Sequence, residues 1–323
     1  MTVAYGNVTD QAIPARPLAA VATAGHRERL EELRVSVERR LDELSAPRDE
    51  ETEALSRSVR HSLLAPCKRT RPALLISTAA FFGADEALAL DPACAVEMVH
   101  TASLIVDDMP AMDDARLRRG WPANHRVFGE HVATLAAFHL LSSAFGAIAR
   151  APGLTGELRA RLAACLSDAI GAEGLIGGQL IDLRSTRQHL EAGEVETMYT
   201  RKTGALLGVA VELGARVAGV DGPAALLRLG DFSRHFGLAF QILDDLKDRF
   251  GAAGTIGKDV GQDASKTSFL THASPREARE EVARLRSASE RALSGLGTPG
   301  EQLAELSRAL LDETAGDLAG EAR

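Results

Sequence analysis

Apolar residues recur at intervals of three and four along most of this chain, and over no useful length do they alternate with period two. That property leaves little room for a sheet. Leu30, Leu33, Val37, Leu41 and Leu44, with charged residues between them, draw the stripe of an amphipathic helix. Runs of the same kind cover 131–149, 157–184, 194–218, 224–249 and 276–293, separated by joints such as Ala151-Pro152-Gly153 and Asp221-Gly222-Pro223. Asp91 and Pro92 fit the N-cap and first residue of a helix that runs on through Ala93 to Asp108. No fixed-period repeat of the solenoid kind is visible. The prediction is an all-α, single-domain helix bundle rather than an α/β protein.

Composition narrows the class. A chain of 323 residues with a formal charge of −8 is a poor partner for nucleic acid or an anionic membrane surface, so any anionic ligand must be met by local basic groups. Cys67, Cys94 and Cys165 lie far apart and form neither a disulfide framework nor a zinc pattern, which fits a reducing, cytoplasmic setting. Residues 1–25 have no basic n-region and are interrupted by Pro14 and Pro17, so they read as a flexible tail before a domain at 26–323. Val132 to Ala149 holds no Asp, Glu, Lys or Arg, but Thr134, His139, Ser142, Ser143 and Gly146 dilute it. A helix buried in a large core is expected there and no membrane span.

The run Asp107-Asp108-Met109-Pro110-Ala111-Met112-Asp113-Asp114 places four carboxylates within eight residues at the end of an apolar helix. Such crowding costs repulsion and desolvation, and a hard cation relieves both. Alone, the cluster fits a solvated acidic turn equally well. Phe240-Gln241-Ile242-Leu243-Asp244-Asp245-Leu246-Lys247-Asp248 repeats the paired aspartates, with Asp244 and Asp248 on one helix face. Two such helix ends facing each other across the mouth of a bundle can hold several metal ions. Neither cluster has an EF-hand's spacing. Basic residues accompany both: Lys68-Arg69-Thr70-Arg71, then Arg116, Arg118 and Arg119, then Arg201, Lys202 and Lys258. Metal ions together with guanidinium and ammonium groups suit a polyphosphate. Gly251 to Lys258 fails the P-loop pattern at Ala252 and Asp259, and the histidines at 125, 131 and 139 lack HExxH spacing. Gly171, Gly174, Gly177 and Gly178 sit in a helical context and indicate close helix packing.

His100-Thr101-Ala102-Ser103-Leu104-Ile105-Val106-Asp107 through Asp114, continuing to Arg118-Arg119-Gly120 and His125, resembles the first aspartate-rich motif of trans-isoprenyl diphosphate synthases, and Phe240 to Asp248 resembles the second. The likeness extends over roughly residues 25 to 300 and is strongest to bacterial geranylgeranyl diphosphate synthases of carotenoid pathways, through Phe128 to Ala133 and Gly177-Gly178-Gln179. It implies a homodimer of helix bundles, each around a central apolar cavity. Asp107, Asp113 and Asp244 would bind Mg²⁺, three ions with substrate bound, with Asp108, Asp245 and Asp248 in or near the coordination shell. Lys68, Arg71, His100 and Arg119 match the isopentenyl diphosphate site; Arg118, Lys202, Thr203, Gln241 and Lys258 match the surroundings of the allylic diphosphate. Ala102 and Ser103 match the positions that limit product length, with Met98 and Val99 deeper. Small residues there imply geranylgeranyl diphosphate rather than farnesyl diphosphate or a longer chain. Cys67 stands where Gly usually precedes the Lys-Arg pair, a replacement that bears on the backbone of that loop. A class I terpene cyclase would leave Lys68, Arg71 and Arg119 surplus, and a non-catalytic partner subunit would tend to lose one of the two Asp motifs.

Overall fold

The computed structural model describes residues 23–47, 49–185, 188–250 and 267–319. Residues 1–22 and Lys258 lie outside these. Among the described residues the chain is helical apart from one short hairpin. Helix α1 (Thr23–Leu44) begins inside the expected tail and buries Leu33, Val37 and Leu41, the stripe read from sequence. Helices α2 (Glu53–Leu63) and α3 (Thr70–Phe81) follow, then α4 (Glu86–Asp107), about 33 Å long at the usual rise per residue.

Helix α4 starts six residues earlier than Asp91-Pro92 suggested. Asp85 caps it, accepting a hydrogen bond from the Ala87 amide at 3.0 Å, and Pro92 lies inside the helix. The Asp91 carboxylate is committed elsewhere, to a two-pronged pair with Arg40 of α1 (2.7 and 3.1 Å). Asp91 therefore serves a tertiary ion pair and not a cap.

After α4 come the strands Leu117–Arg118 (β1) and Trp121–Pro122 (β2), paired antiparallel, and the short helix α5 (Asn124–Phe128). The two residues between the strands, Arg119 (φ 55°) and Gly120 (φ 78°), are both left-handed, as a tight two-residue hairpin requires. Helices α6 (Glu130–Arg150) and α7 (Gly156–Ile170) follow. Helix α6 packs mainly on α4 and buries Ala133, Ala136, Ala137, Ala144 and Ala147, small side chains that suit close approach of neighbouring helices. Its other face leaves Leu135 and Phe138 more than half exposed, so the expected fully buried helix is buried on one side only.

The expected run 157–184 is broken at Gly171, whose amide turns back onto the carbonyls of Ser167 and Asp168. Helix α8 (Leu175–Ser185) then sets off separately. The run 194–218 is likewise composite: α9 (Ala192–Tyr199), a π-helical turn (Thr200–Gly204) and α10 (Ala205–Val217). Helix α10 is central, packing against α3, α4, α7 and α11 (Pro223–Phe250). At Gly214 a Cβ would lie 2.4 Å from the Leu75 carbonyl oxygen of α3, so this contact requires glycine. Helix α11 buries Phe232 and Phe236, whose rings stack at 5.6 Å, and Phe240 continues the ladder at 6.1 Å. The short α12 (Phe269–His272), α13 (Pro275–Leu293) and α14 (Gly297–Ala319) pack around α11 and complete the bundle.

Candidate active site

The first Asp motif is built by α4 ending and the chain folding back over its last turn. The amides of Asp113, Asp114 and Ala115 donate to the carbonyls of Asp107 (2.9 Å), Met109 (3.1 Å) and Asp108 (3.2 Å). The carboxylates therefore gather at a helix C-terminus, where the helix dipole disfavours negative charge. Asp107 is buried, and burial, opposed by Lys202 and reinforced by Asp113, pushes its carboxyl up to about 6. Asp108 is also buried and raised by desolvation, and it accepts a hydrogen bond from Arg118 Nε at 2.9 Å. Arg118, expected at the allylic diphosphate, is thus held on the motif itself.

Facing this turn are α8 and the π-helical turn. Gly178 of α8 meets the backbone of Lys202 so closely that a Cβ there would sit 2.2 Å from the Lys202 nitrogen. Gly178, one of the glycines read as packing residues, therefore brings two functional segments together. Lys202 Nζ pairs with the buried Asp182 of α8 at 2.6 Å. Asp182 also raises the acid range of Asp107 and of Tyr199, so α4, α8 and the end of α9 converge on one electrostatic centre.

The second Asp motif lies near the end of α11 and is tied to the same centre by a chain of hydrogen bonds. The Thr203 hydroxyl donates to Gln241 Oε1 at 2.6 Å, and Gln241 Nε2 donates to Asp245 Oδ1 at 3.0 Å. The Tyr199 hydroxyl donates to Asp245 and accepts from the Phe269 amide at 2.8 Å. Asp245 is thus engaged by two protein donors, and desolvation pushes its carboxyl up to about 7.

A cationic cluster adjoins both motifs. Burial, then the charges of Arg71, Arg119, Arg118 and Arg69, hold His100 well below the ordinary imidazole range, so a neutral ring stands among four guanidinium groups. Arg71 feels Glu97 and Asp244 as attractive neighbours and Arg119 as a repulsive one, and its buried Nε has no hydrogen-bond partner among the described residues. A buried guanidinium with an unmet donor suits an anion. The Lys68 ammonium pairs with Glu313 of α14 at 3.2 Å. Cys67 does not adopt left-handed backbone; the strained residue of that loop is Arg69, at φ 50°.

Of the residues that sequence singled out, the fold gathers Asp107, Asp108, Asp113, Arg118, Lys202, Thr203, Gln241, Asp244 and Asp245 with Arg71, His100 and Arg119. Ala102, Val99 and Met98 are buried along α4 below Asp107, and Ser103 donates its hydroxyl to the His100 carbonyl at 2.8 Å. Sequence reasoning missed Asp182 and Tyr199. The first is signalled by Gln179-Leu180-Ile181-Asp182 following the paired glycines; nothing in the sequence marks the second. Among the described residues no three carboxylates close around a cation by themselves. Buried, mutually repelling oxygen donors beside unsatisfied guanidinium groups nevertheless fit Mg²⁺ that shares its coordination with a phosphorylated ligand.

The polyprenyl synthetase family model matches residues 52–294. The chain belongs to the polyprenyl synthetase family. As a member it is 44% identical over 259 residues to the geranylgeranyl diphosphate synthase of Pantoea ananas, covering 79% of this chain and 84% of that relative. It is 41% identical over 254 residues to the farnesyl diphosphate synthase of Geobacillus stearothermophilus, covering 77% and 85%. Its fold matches an FPP/GFPP synthase from Zymomonas mobilis with a TM-score of 0.81 at 30% identity, over 90% of this chain and 100% of that one. A geranyltransferase from Helicobacter pylori, complexed with magnesium and isoprenyl diphosphate, also matches with a TM-score of 0.81, at 25% identity over 92% and 99%. This polyprenyl synthetase is therefore an all-α prenyltransferase of the isoprenyl diphosphate synthase type.

Proposed function

We propose that the chain extends an allylic diphosphate (dimethylallyl, geranyl or farnesyl) with isopentenyl diphosphate, and that geranylgeranyl diphosphate is its main product. The observation that carries this reading is the pairing of two Asp motifs with a separate arginine cluster, enough charge for two diphosphates at once. Asp107, Asp113 and Asp244 would hold Mg²⁺, three ions with substrate bound. When bound, these ions neutralise charge on a departing diphosphate. Lys202 and Arg118 add positive charge at the same place, and Thr203 and Gln241 orient the allylic substrate. Arg71, Arg119 and His100 hold the second diphosphate so that its double bond faces the allylic carbon. Breaking the allylic C–O bond leaves an allylic carbocation and free diphosphate; the double bond of isopentenyl diphosphate attacks the cation, the released diphosphate takes the proton then lost, and the apolar side chains of the bundle keep water out.

Product length follows from α4. Ala102 lies about 7.5 Å below Asp107 at the usual helical rise, and neither it nor Ser103 is bulky enough to stop a C15 chain. Met98 and Val99, more than a turn from Asp107, supply larger side chains further down. Helices α4 and α6 are both long and apolar enough to cross a membrane, but α4 is largely buried in the bundle, and a homodimer formed on α6 would cover its exposed Leu135 and Phe138. The test is to incubate the purified protein with labelled isopentenyl diphosphate and each allylic primer in Mg²⁺ and size the dephosphorylated products. A C20 alcohol as main product supports the reading; accumulation of C15 makes the chain a farnesyl diphosphate synthase, and no elongation removes the assignment.

A further inference from the structure

Beneath the cationic cluster lies a carboxylate that the catalytic reading leaves without a role. Glu97 of α4 is 1% exposed, three residues before His100 and hence on the same side of the helix. One of its oxygens, Oε1, lies 2.8 Å from Arg69 Nη1, 3.7 Å from Arg119 Nη2 and 3.6 Å from Cys67 Sγ. The arginines come from two different loops. Arg69 is the N-terminal flanking residue of α3, one position from Lys68 and two from Arg71. Arg119 stands at the tip of the β1–β2 hairpin, beside Arg118.

Both arginines are left-handed, and among the described residues only Asp114 shares that property without being glycine. Such backbone persists where the surroundings over-determine it. For Arg69 they do: its fully buried side chain also donates to the carbonyls of Leu63 (2.7 Å) and Ala65 (3.2 Å), and Glu38 of α1 is 3.7 Å from its Nε. Glu97 is the group that this anchored loop shares with the hairpin. It is also the strongest attraction acting on Arg71, ahead of the repulsion that Arg119 exerts on the same guanidinium. Cys67 fits the same arrangement, because its side chain turns inward onto Glu97.

We infer that Glu97 is a positioning residue for the isopentenyl diphosphate subsite, a buried counter-charge that clasps the Cys67–Arg71 loop to the Arg118–Arg119 hairpin so that Arg71 and Arg119 stand together against one diphosphate. The inference rests on the proposed function for the identity of that ligand, but the clasp itself predicts a response to any diphosphate. Its sign is diagnostic. Removing a negative charge from beneath an anion site would tighten binding if Glu97 acted only through space; losing a clasp loosens the guanidinium groups and weakens it.

Two variants separate these outcomes. Glu97→Gln keeps the shape and removes the charge; Glu97→Asp keeps the charge and draws it back by one methylene. In Glu97→Gln the KM for isopentenyl diphosphate should rise about tenfold or more, while the allylic KM and saturating kcat stay within about threefold. Glu97→Asp should show the same selective rise, smaller in size, with a melting temperature near that of the parent. Calorimetric titration with inorganic diphosphate in the presence of EDTA reads the cluster without turnover, and there Glu97→Gln should bind about tenfold more weakly. Unchanged or tighter diphosphate binding by Glu97→Gln, or equal changes in both KM values, overturns the inference. If Glu97→Gln does not fold, an unaltered KM for isopentenyl diphosphate in Glu97→Asp does so. A parent protein that binds diphosphate but elongates no allylic primer would refute the proposed function instead, and the titration would still decide on Glu97.

Discussion

Replacing Tyr199 with Phe removes a single oxygen from the centre of the site and leaves the ring packing intact. That oxygen makes two hydrogen bonds, one donated to Asp245 on α11 and one accepted from the Phe269 amide at 2.8 Å. Tyr199 is only 5% exposed, so water does not readily replace either bond. A hydrogen bond to a carboxylate is worth roughly 1.5–3 kcal/mol, and leaving a buried amide unpaired costs about 1–3 kcal/mol. The two losses share one atom and are not strictly additive, which places the destabilisation at about 2–4 kcal/mol. At about 2 °C per kcal/mol for a chain of this size, the melting temperature should fall by roughly 4–8 °C. Turnover should fall as well, by about tenfold, because Asp245 then keeps only one of its two protein donors, Gln241. Differential scanning calorimetry together with a labelled-product assay checks both. A melting temperature within about 1 °C of the parent and turnover within about twofold would refute the network as drawn.

Asp107→Ala and Asp244→Ala should each lower Mg²⁺-dependent turnover by about two orders of magnitude or more while circular dichroism shows the helices retained; near-parental turnover in either would remove it from the metal site. Ala102→Phe should shift the product from C20 toward C15 with the first condensation still fast, whereas a loss of stability without a change in product length would make Ala102 a packing residue only. His100 has a folded-state pKa well below its unfolded value of about 6.5, so below that pH the folded chain binds fewer protons than the unfolded one. Its contribution to stability is complete above about pH 6.5 and is lost as the pH falls, and His100→Asn should therefore flatten the decline in melting temperature between about pH 6.5 and 5. An unchanged slope would show that the ring is not held neutral.

Much of the bundle was legible because its helices carry their own punctuation. Ser274 and Pro275 open α13, Gly222 and Pro223 mark the start of α11, and the apolar spacing between such marks is regular. Where reading failed, the deciding feature was either a partner far along the chain or a local break that apolar spacing does not show. Asp91 looks like a cap until Arg40 is seen to hold it, and Gly171 stops α7 inside a run whose periodicity continues across it. The π-helical turn at Thr200–Gly204 is invisible to a search for 3.6-residue spacing, although it carries Lys202 and Thr203. The Asp motifs were legible through residue type and spacing because the paired aspartates occur twice, each near basic residues, where one cluster alone would fit a solvated turn. Glu97, Asp182 and Tyr199 belong to no motif, and each acts through a contact that exists only after folding. Cys67 shows the reverse case: a side chain in a position usually given to glycine draws attention to the loop's backbone, but the left-handed residue proves to be Arg69.

The central claim is that one site holds two diphosphates on separate sets of cations, and steady-state kinetics with each substrate varied in turn tests it most directly. Arg71→Ala and Arg119→Ala should raise the KM for isopentenyl diphosphate by about tenfold or more and leave the allylic KM near its parental value, and Lys202→Ala should do the converse. If all three variants move both KM values by the same factor, the two subsites do not exist as described.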